Sequence, residues 1–433
     1  MDVLSRAEKI LEASSPVTLR GLVTDVTGLV VEASGPAVGV GTMCHIVRDG
    51  QNIPAQVVGF RRDRVLLMPH GDLQGVAPGA CVIAHRIEDK IPVGPELLGR
   101  VIDPMGEPID GKGKIVCSGE VSLFRSAPSP MERARISSHF DSGLKAVNAL
   151  LTIGRGQRVG VMAGSGVGKS TLLGMIARHA RSSVNVIALV GERGREVREF
   201  IERDLGEEGL KRSIVVVSTS DRSPLTRVRA AFAATAIAEY FRDLGEEVSL
   251  LLDSVTRFCM AQREIGLAVG EPPTAAGYTP SVFALLPRLL ERAGTCGGKG
   301  SITGFYAVLV EGDDMNEPIA DAVRGIVDGH IVLSRALASR GQYPAIDVLQ
   351  SVSRLMPDVV DAQALELAAK ARQILADFSD VEDLITIGAY KEGQNRKTDY
   401  AVQRIEALRR FLLQKPEEKV AFGESRKLLS DVL

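Results

Sequence analysis

Residues 163–170 read Ala-Gly-Ser-Gly-Val-Gly-Lys-Ser, set between an apolar run and an apolar helix-forming stretch. Glycine weakens strand and helix alike, so three of them within five positions require a backbone reason. The flanks supply one: "RVGVM" (158–162) reads as a strand and "STLLGMIARHA" (170–180) as a helix, the setting in which a phosphate-binding loop forms. Gly164, Gly166 and Gly168 let backbone N–H groups converge on phosphate oxygens, and the helix N-terminus adds its partial positive charge. Ala163, Ser165, Val167 and Thr171 complete the stretch expected to wrap the nucleotide. Lys169 would reach the β- and γ-phosphates, and the Ser170 hydroxyl would ligate Mg²⁺. Ala163 stands where the strict pattern has glycine, and its methyl is small. A chance glycine turn capping a helix would not need the Lys-Ser pair; the expectation is a bound nucleoside triphosphate.

Hydrolysis asks for carboxylates as well. "VSLLLDSVTRF" (248–258) ends a buried run at Asp253, suited to holding Mg²⁺ through water, although an Asp there could instead cap the segment that follows. "NVIALVGERGREV" (185–197) ends its run at Glu192, which at the carboxyl edge of a parallel sheet can polarise an attacking water. A first-turn helix Glu favoured by the macrodipole has the same spacing, so both readings stand at this point.

Positioning these residues takes a particular scaffold. Apolar strand-like runs recur at "RVGVMAG", "NVIALVG", "SIVVVST", "VSLLLD", "ITGFYAVLV" and "GHIVLS", separated mostly by helical segments. One of these, "GREVREFIERDL", puts Val197, Phe200, Ile201 and Leu205 on one face. Buried strands alternating with helices predict an α/β fold with a mostly parallel sheet covered on both sides. Before it, from about 18 to 92, short β-rich runs punctuated by Gly, Pro and Asp read as a small barrel. The nucleotide-binding domain is expected over 93–350 and a helical domain over 351–433. Residues 2–13 place Leu4, Ala7, Ile10 and Leu11 on one helical face, so 1–17 reads as an amphipathic arm that packs on its own domain or docks on a partner or a membrane surface.

With 433 residues, 45% hydrophobic and 24% charged, the chain is long enough for several domains with sizeable cores. A formal net charge of −2, no Trp and only 4% aromatics argue against nucleic acid as a partner. The five scattered cysteines contain no CxxC pair and read as reduced, cytosolic thiols. The six His residues are isolated, His139 and His179 reading as surface or packed side chains. No run reaches the ~18 apolar residues of a membrane span, and the amino terminus has no apolar signal core.

Taken in order, the phosphate loop, "GERGREV" (191–197), "LLLDSVTRF" (250–258), "GEPPTAAGYTPSVFALLPRLLERAG" (270–294), "EGDDMNEPIADAVRGIVDGHIVLSRALASRGQYPAID" (311–347) and "SVSRLM" (351–356) resemble the rotary-ATPase-like ATPases of the bacterial flagellar and type III protein export apparatus. The likeness runs from about residue 18 to the C-terminus. "EDLITIGAYKEGQN" (382–395) is similar to the flagellum-specific branch, while the injectisome ATPases share most of the motifs. The resemblance implies an N-terminal β-barrel, a central RecA-like domain like that of the ATP synthase catalytic subunit and a C-terminal helical domain. It implies a homohexameric ring with Mg²⁺·ATP between subunits.

It also carries roles onto individual positions. Glu192 matches the catalytic carboxylate, where non-catalytic rotary subunits usually carry Gln, and Arg193 beside it would help organise that pocket. Arg257 matches a γ-phosphate contact. Arg354 matches an arginine supplied across the subunit interface, a group of a kind worth roughly 4–7 kcal/mol of transition-state stabilisation; an ordinary salt bridge is the plainer reading. Tyr343 matches the adenine-stacking aromatic, with core packing beside Pro344 as the alternative. Phe422 lies near a second adenine-side contact, in a stretch that matches the family poorly. The loop 270–278 would face the centre of the ring.

The implied activity is ATP hydrolysis energising protein export. The implied partners are export-apparatus stalk and regulator proteins and chaperone–substrate complexes, with peripheral membrane association at the cytoplasmic face of the inner-membrane export gate. The C-terminal domain lacks the acidic "DELSEED"-like segment of ATP synthase catalytic subunits, which weakens a rotary reading. An ATP synthase-type catalytic subunit, an RNA translocase and a nucleotide-binding structural subunit remain as alternatives. Only "RRDR" (61–64) is locally basic in support of RNA, and Glu192 argues against a subunit without turnover.

Overall fold

Turn chemistry closes the first domain. Strands β1 (Arg20–Thr27), β2 (Val30–Ser34), β3 (Met43–Arg48), β4 (Gln51–Arg61), β5 (Arg64–Pro69) and β6 (Cys81–Ala84) form a closed barrel in the order β1-β2-β5-β4-β3-β6. At the β3–β4 hairpin Asp49 (φ 46°) and Gly50 (φ 79°) both take the left-handed conformation, which matches the strand twist across a two-residue turn. Alternate residues point inward, and Val23, Val31, Ile46, Val57, Leu67 and Val82 fill the interior. The computed structural model describes residues 18–84, 89–298 and 300–433. The amphipathic arm expected over 1–17 lies outside the described residues.

The second domain is built on strands β7 (Arg100–Ile102), β8 (Arg158–Ala163), β9 (Val184–Glu192), β10 (Ser213–Thr219), β11 (Glu247–Asp253), β12 (Gly294–Thr295), β13 (Ser301–Leu309), β14 (Gly329–Leu333) and β15 (Ile346–Ser353). Their order is β15-β14-β8-β13-β11-β9-β10-β7, with β12 paired to β13. From β14 to β7 the neighbours run parallel; β15 is antiparallel to β14. Helices cover both faces, so the central strands read as unbroken apolar runs: all of β9 except Glu192 is buried.

The principal helices are α1 (Lys169–His179), α2 (Pro224–Asp243), α3 (Val255–Val269), α4 (Pro280–Leu290), α5 (Pro318–Ile326), α6 (Ala362–Ser379), α7 (Arg396–Leu412) and α8 (Phe422–Val432). The "GREVREF" segment is helical only over Gly194–Glu199 before a wider turn over Phe200–Leu205, which leaves Ile201 partly exposed while Val197, Phe200 and Leu205 are buried.

The C-terminal helices do not stand apart. One apolar cluster runs from Leu172 and Ile176 of α1 through Leu251 and Phe305 of the sheet to Ile374, Ile405, Leu408 and Phe411 of α6 and α7. At the far end of α1, Arg178 Nη2 and His179 Nε2 each lie 2.8 Å from the Pro416 carbonyl oxygen. All five cysteines are free thiols, and among the described residues no helix is long and apolar enough to cross a membrane.

The deepest polar contact is between α2 and the segment after α4. Arg292 grips Glu239 with two parallel bonds (2.9 and 2.6 Å) and donates to the Leu123 carbonyl at 2.7 Å; both side chains are 1% exposed. Removing one partner strands a buried charge, so Glu239→Ala should cost roughly 3–5 kcal/mol, read as a lowered midpoint in chemical denaturation. An apolar double replacement, Glu239→Leu with Arg292→Met, should recover most of that loss.

Candidate active site

Parallel strands deliver their carboxyl ends to one edge of the sheet, and the site lies there. Strand β8 ends at Ala163, β9 at Glu192, β11 at Asp253 and β13 at Leu309. The register aligns Ala163 with Leu309 and Leu189 with Asp253, so the polar ends surround a common opening. Between β8 and α1 the loop turns back on itself through Gly166 (φ 78°) and Gly168 (φ 90°), the latter capping α1 in the left-handed conformation. Only glycine takes these angles without strain.

The loop fronts a cavity of about 540 Å³ lined by Ala163 to Gly166, Gly168 to Thr171, Glu192, Arg193, Glu196, Arg257, Leu309 to Gly312 and Arg335. Val167 turns the other way, into the core. Burial raises the Asp204 pKa, and the nearby Thr171 hydroxyl partly offsets the rise.

Within this opening one ammonium holds two carboxylates. Lys169 Nζ makes a close ion pair with Asp253 Oδ1 and lies 3.5 Å from Glu192 Oε1. Burial disfavours the charged lysine, but Asp253 and then Glu192 outweigh it and hold its pKa above the ordinary lysine value. The pKa of Glu192 rises as well, which for an acid favours the neutral form. Burial raises its pKa and the Lys169 charge pulls it back, while Asp253 and Glu196 add to the rise, leaving it at about 7.

Both alternatives left open by spacing are decided by geometry. Ser254, not Asp253, caps α3, its Oγ accepting from the Arg257 N–H at 3.3 Å. Glu192 is the last residue of β9, and the first-turn acid of the following helix is Glu196.

The arginines divide. Arg257 leans on Gly191 (φ 72°), where a Cβ would stand 2.9 Å from the arginine Cβ. Its Nε is buried without a hydrogen-bond partner, a donor unspent at the cavity wall. Arg193 also lines the cavity but is 74% exposed and pairs with Glu196 at 3.4 Å. Arg354 is elsewhere. It follows β15, whose Ser353 pairs with Gly329 at the amino end of β14, and it donates to the Arg324 carbonyl at 3.1 Å. Within one chain it therefore lies at the sheet edge opposite the loop.

Tyr343 is 46% exposed rather than packed in the core, and its ring lies 3.6 Å from where a Cβ on Gly168 would stand. Phe422 does not join it. Its ring stacks on His139 (centroids 3.8 Å, 17° between planes), and the C-terminal residue that meets Tyr343 is Gln414, whose N–H donates to the Tyr343 carbonyl at 3.0 Å.

Three cavity residues, Glu196, Glu311 and Arg335, were not singled out from sequence. Glu196 was the legible one, four residues beyond Glu192 in "GERGRE" and in the first turn of the helix that follows the strand.

Three family models match along the chain. The ATP synthase alpha/beta family, beta-barrel domain, matches residues 23–85 and its nucleotide-binding domain residues 143–353, and the T3SS EscN ATPase C-terminal domain matches 360–431. The "Flagellum-specific ATP synthase" of Bacillus subtilis (strain 168) is 55% identical over 415 residues, 95% of this chain and 94% of that one. The "Type 3 secretion system ATPase" of Xanthomonas euvesicatoria is 51% identical over 414 residues, 95% and 93% of the two chains. Among solved structures, the assembled ATPase EscN in complex with its central stalk EscO, from the enteropathogenic E. coli type III secretion system, superposes with a TM-score of 0.88 at 42% identity, covering 95% of this chain and 99% of that one. Likeness of this extent, in sequence and in three-domain architecture, places the chain: it belongs to the ATPases of the flagellar and type III secretion systems, with an ATP synthase alpha/beta-type nucleotide-binding domain.

Proposed function

We propose that this chain works as a homohexamer that hydrolyses Mg²⁺·ATP between subunits to energise protein export through the flagellar apparatus. The observation that carries the mechanism is Glu192, a carboxylate 3.5 Å from the loop lysine whose pKa of about 7 suits a group that must accept a proton near neutrality. The Gly164–Ser170 amides and Lys169 hold the phosphates, Glu192 aims and deprotonates the attacking water, and Arg257 spends its free donor on the developing γ-phosphate charge. Arg193 steadies the same wall. Tyr343 gives the adenine ring a face to stack on beside Gly168.

The donor set fits Mg²⁺. Among the described residues no three-membered His/Cys/Asp/Glu cluster could cage an ion alone, and two carboxylates face one ammonium, a surplus of negative charge that a cation would balance. Ser170 would ligate it directly and Asp253 through water, phosphate oxygens completing the shell. When bound, the ion neutralises phosphate charge.

Arg354, remote from its own loop, would serve a neighbouring subunit in this reading, and its position at the opposite sheet edge supports that. The similarity to an assembled relative seen with its central stalk supports a ring with a stalk partner, and the loop 270–278 is the segment proposed to face the centre. The boundaries 1–17, 18–92, 93–350 and 351–433 stand as the proposed domain division. Regulator proteins, chaperone–substrate complexes and peripheral docking at the cytoplasmic face of the inner membrane complete the reading. Flagellar assignment rests on the 382–395 stretch and the 55% relative; the 51% identity to a type 3 secretion ATPase favours injectisome export as the second reading.

Glu192→Gln should retain ATP binding while steady-state phosphate release falls by about 10²–10⁴-fold; near-normal turnover would defeat the assignment. In the unsubstituted enzyme, kcat/KM should climb with pH through about 7 as the Glu192 carboxylate accumulates, falling about tenfold per pH unit below it, a dependence Glu192→Gln lacks. Arg354→Ala and Lys169→Ala subunits should each be inactive alone, Arg354→Ala losing about 10³-fold or more. Mixed rings of the two should regain activity, because some interfaces then pair an intact loop with an intact arginine; no recovery on mixing would place Arg354 outside catalysis.

A further inference from the structure

Strand β8 lies between β13 and β14, and Ala163 is level with both Leu309 and Leu333. The phosphate loop therefore leaves the sheet between two segments that leave it alongside. One is the 310–314 turn, anchored by the Val310 N–H on the Ala163 carbonyl (2.9 Å) and bent through Gly312 (φ 65°) and Asp313 (φ 59°). The other is the short helix that opens at Arg335. The two meet over Gly164. A Cβ on Gly164 would stand 2.6 Å from Asp313 Oδ1 and 3.1 Å from Arg335 Nη2, and Arg335 Nε faces Asp313 Oδ2 at 3.6 Å. Gly164 is not among the positive-φ glycines; a side chain there would have to push the ends of this ion pair aside. Asp is one of the few residues besides glycine that adopt the left-handed backbone readily, and here it brings the Asp313 carboxylate to the loop.

We propose that Asp313 and Arg335 are positioning residues for the phosphate loop, an ionic clasp that presses on the outer face of Gly164 and keeps the loop's amides converged for the triphosphate. The pair is about half exposed (58% and 48%), so it contributes little to global stability, and its effect falls on the loop. The inference rests on the reading of residues 163–170 as the ATP cradle.

The test is a double-mutant cycle on the full-length ATPase, following KM for ATP, kcat, ADP affinity and the thermal unfolding midpoint. Asp313→Ala and Arg335→Ala should each raise KM about two- to fivefold with unfolding unchanged, Arg335→Lys falling between Arg335→Ala and the parent. Gly164→Ala should raise KM about tenfold, since its methyl has to displace the clasp. Adding Asp313→Ala should then remove most of that increment, because the colliding carboxylate is gone. Independent, additive losses for Gly164→Ala and Asp313→Ala, or an unmoved KM in Asp313→Asn, would overturn the clasp. Lys169→Ala keeps the two ideas apart: ATP binding that survives it removes the reading of the cradle, whereas loss of binding with an additive cycle removes the clasp alone.

Discussion

Everything at the active edge depends on a lysine buried between two acids. Lys169 remains charged in a poorly hydrated opening because Asp253 and Glu192 face it, and Glu192 approaches a neutral pKa because burial raises it further than the shared ammonium lowers it, with Asp253 adding to the rise. Neither acid would sit there without the lysine, and the lysine would not stay protonated without them. The three are therefore a single electrostatic unit, poised so that an incoming anion and its counter-cation redistribute charge already in place.

The scaffold exists to bring that unit together. Its members lie at residues 169, 192 and 253, on three strand–helix units, and a parallel register brings their carboxyl ends to the same edge of the sheet, Glu192 running three residues beyond the level of Asp253. The barrel and the helical domain flank this arrangement without entering the cavity among the described residues.

Much of this was legible beforehand for physical reasons. A glycine-rich loop between strand and helix, followed by Lys-Ser, has few other uses, and buried parallel strands announce themselves as continuous apolar runs. What stayed hidden were contacts made by topology alone. Arg335 reads as an ordinary first-turn helix residue in "VLSRALA", and nothing in its neighbours shows that β14 lies beside β8. Phe422, in a stretch that matches the family poorly, stacks on His139, and it is the Gln414 N–H that meets the Tyr343 carbonyl. Gly164 looked like its two companions, yet they answer to backbone angle and it answers to crowding.

The helix that begins at the phosphate loop ends on the C-terminal domain. Its eleven residues form a rod about 16 Å long, with amides exposed to phosphate at one tip and Arg178 and His179 holding the Pro416 carbonyl at the other. Such a rod neither bends nor compresses appreciably, and the close-packed apolar seam along its flank has no slack to absorb a displacement. If the loop holds phosphate as proposed, a tilt of the helix at that tip would be felt at the Pro416 contact at the other.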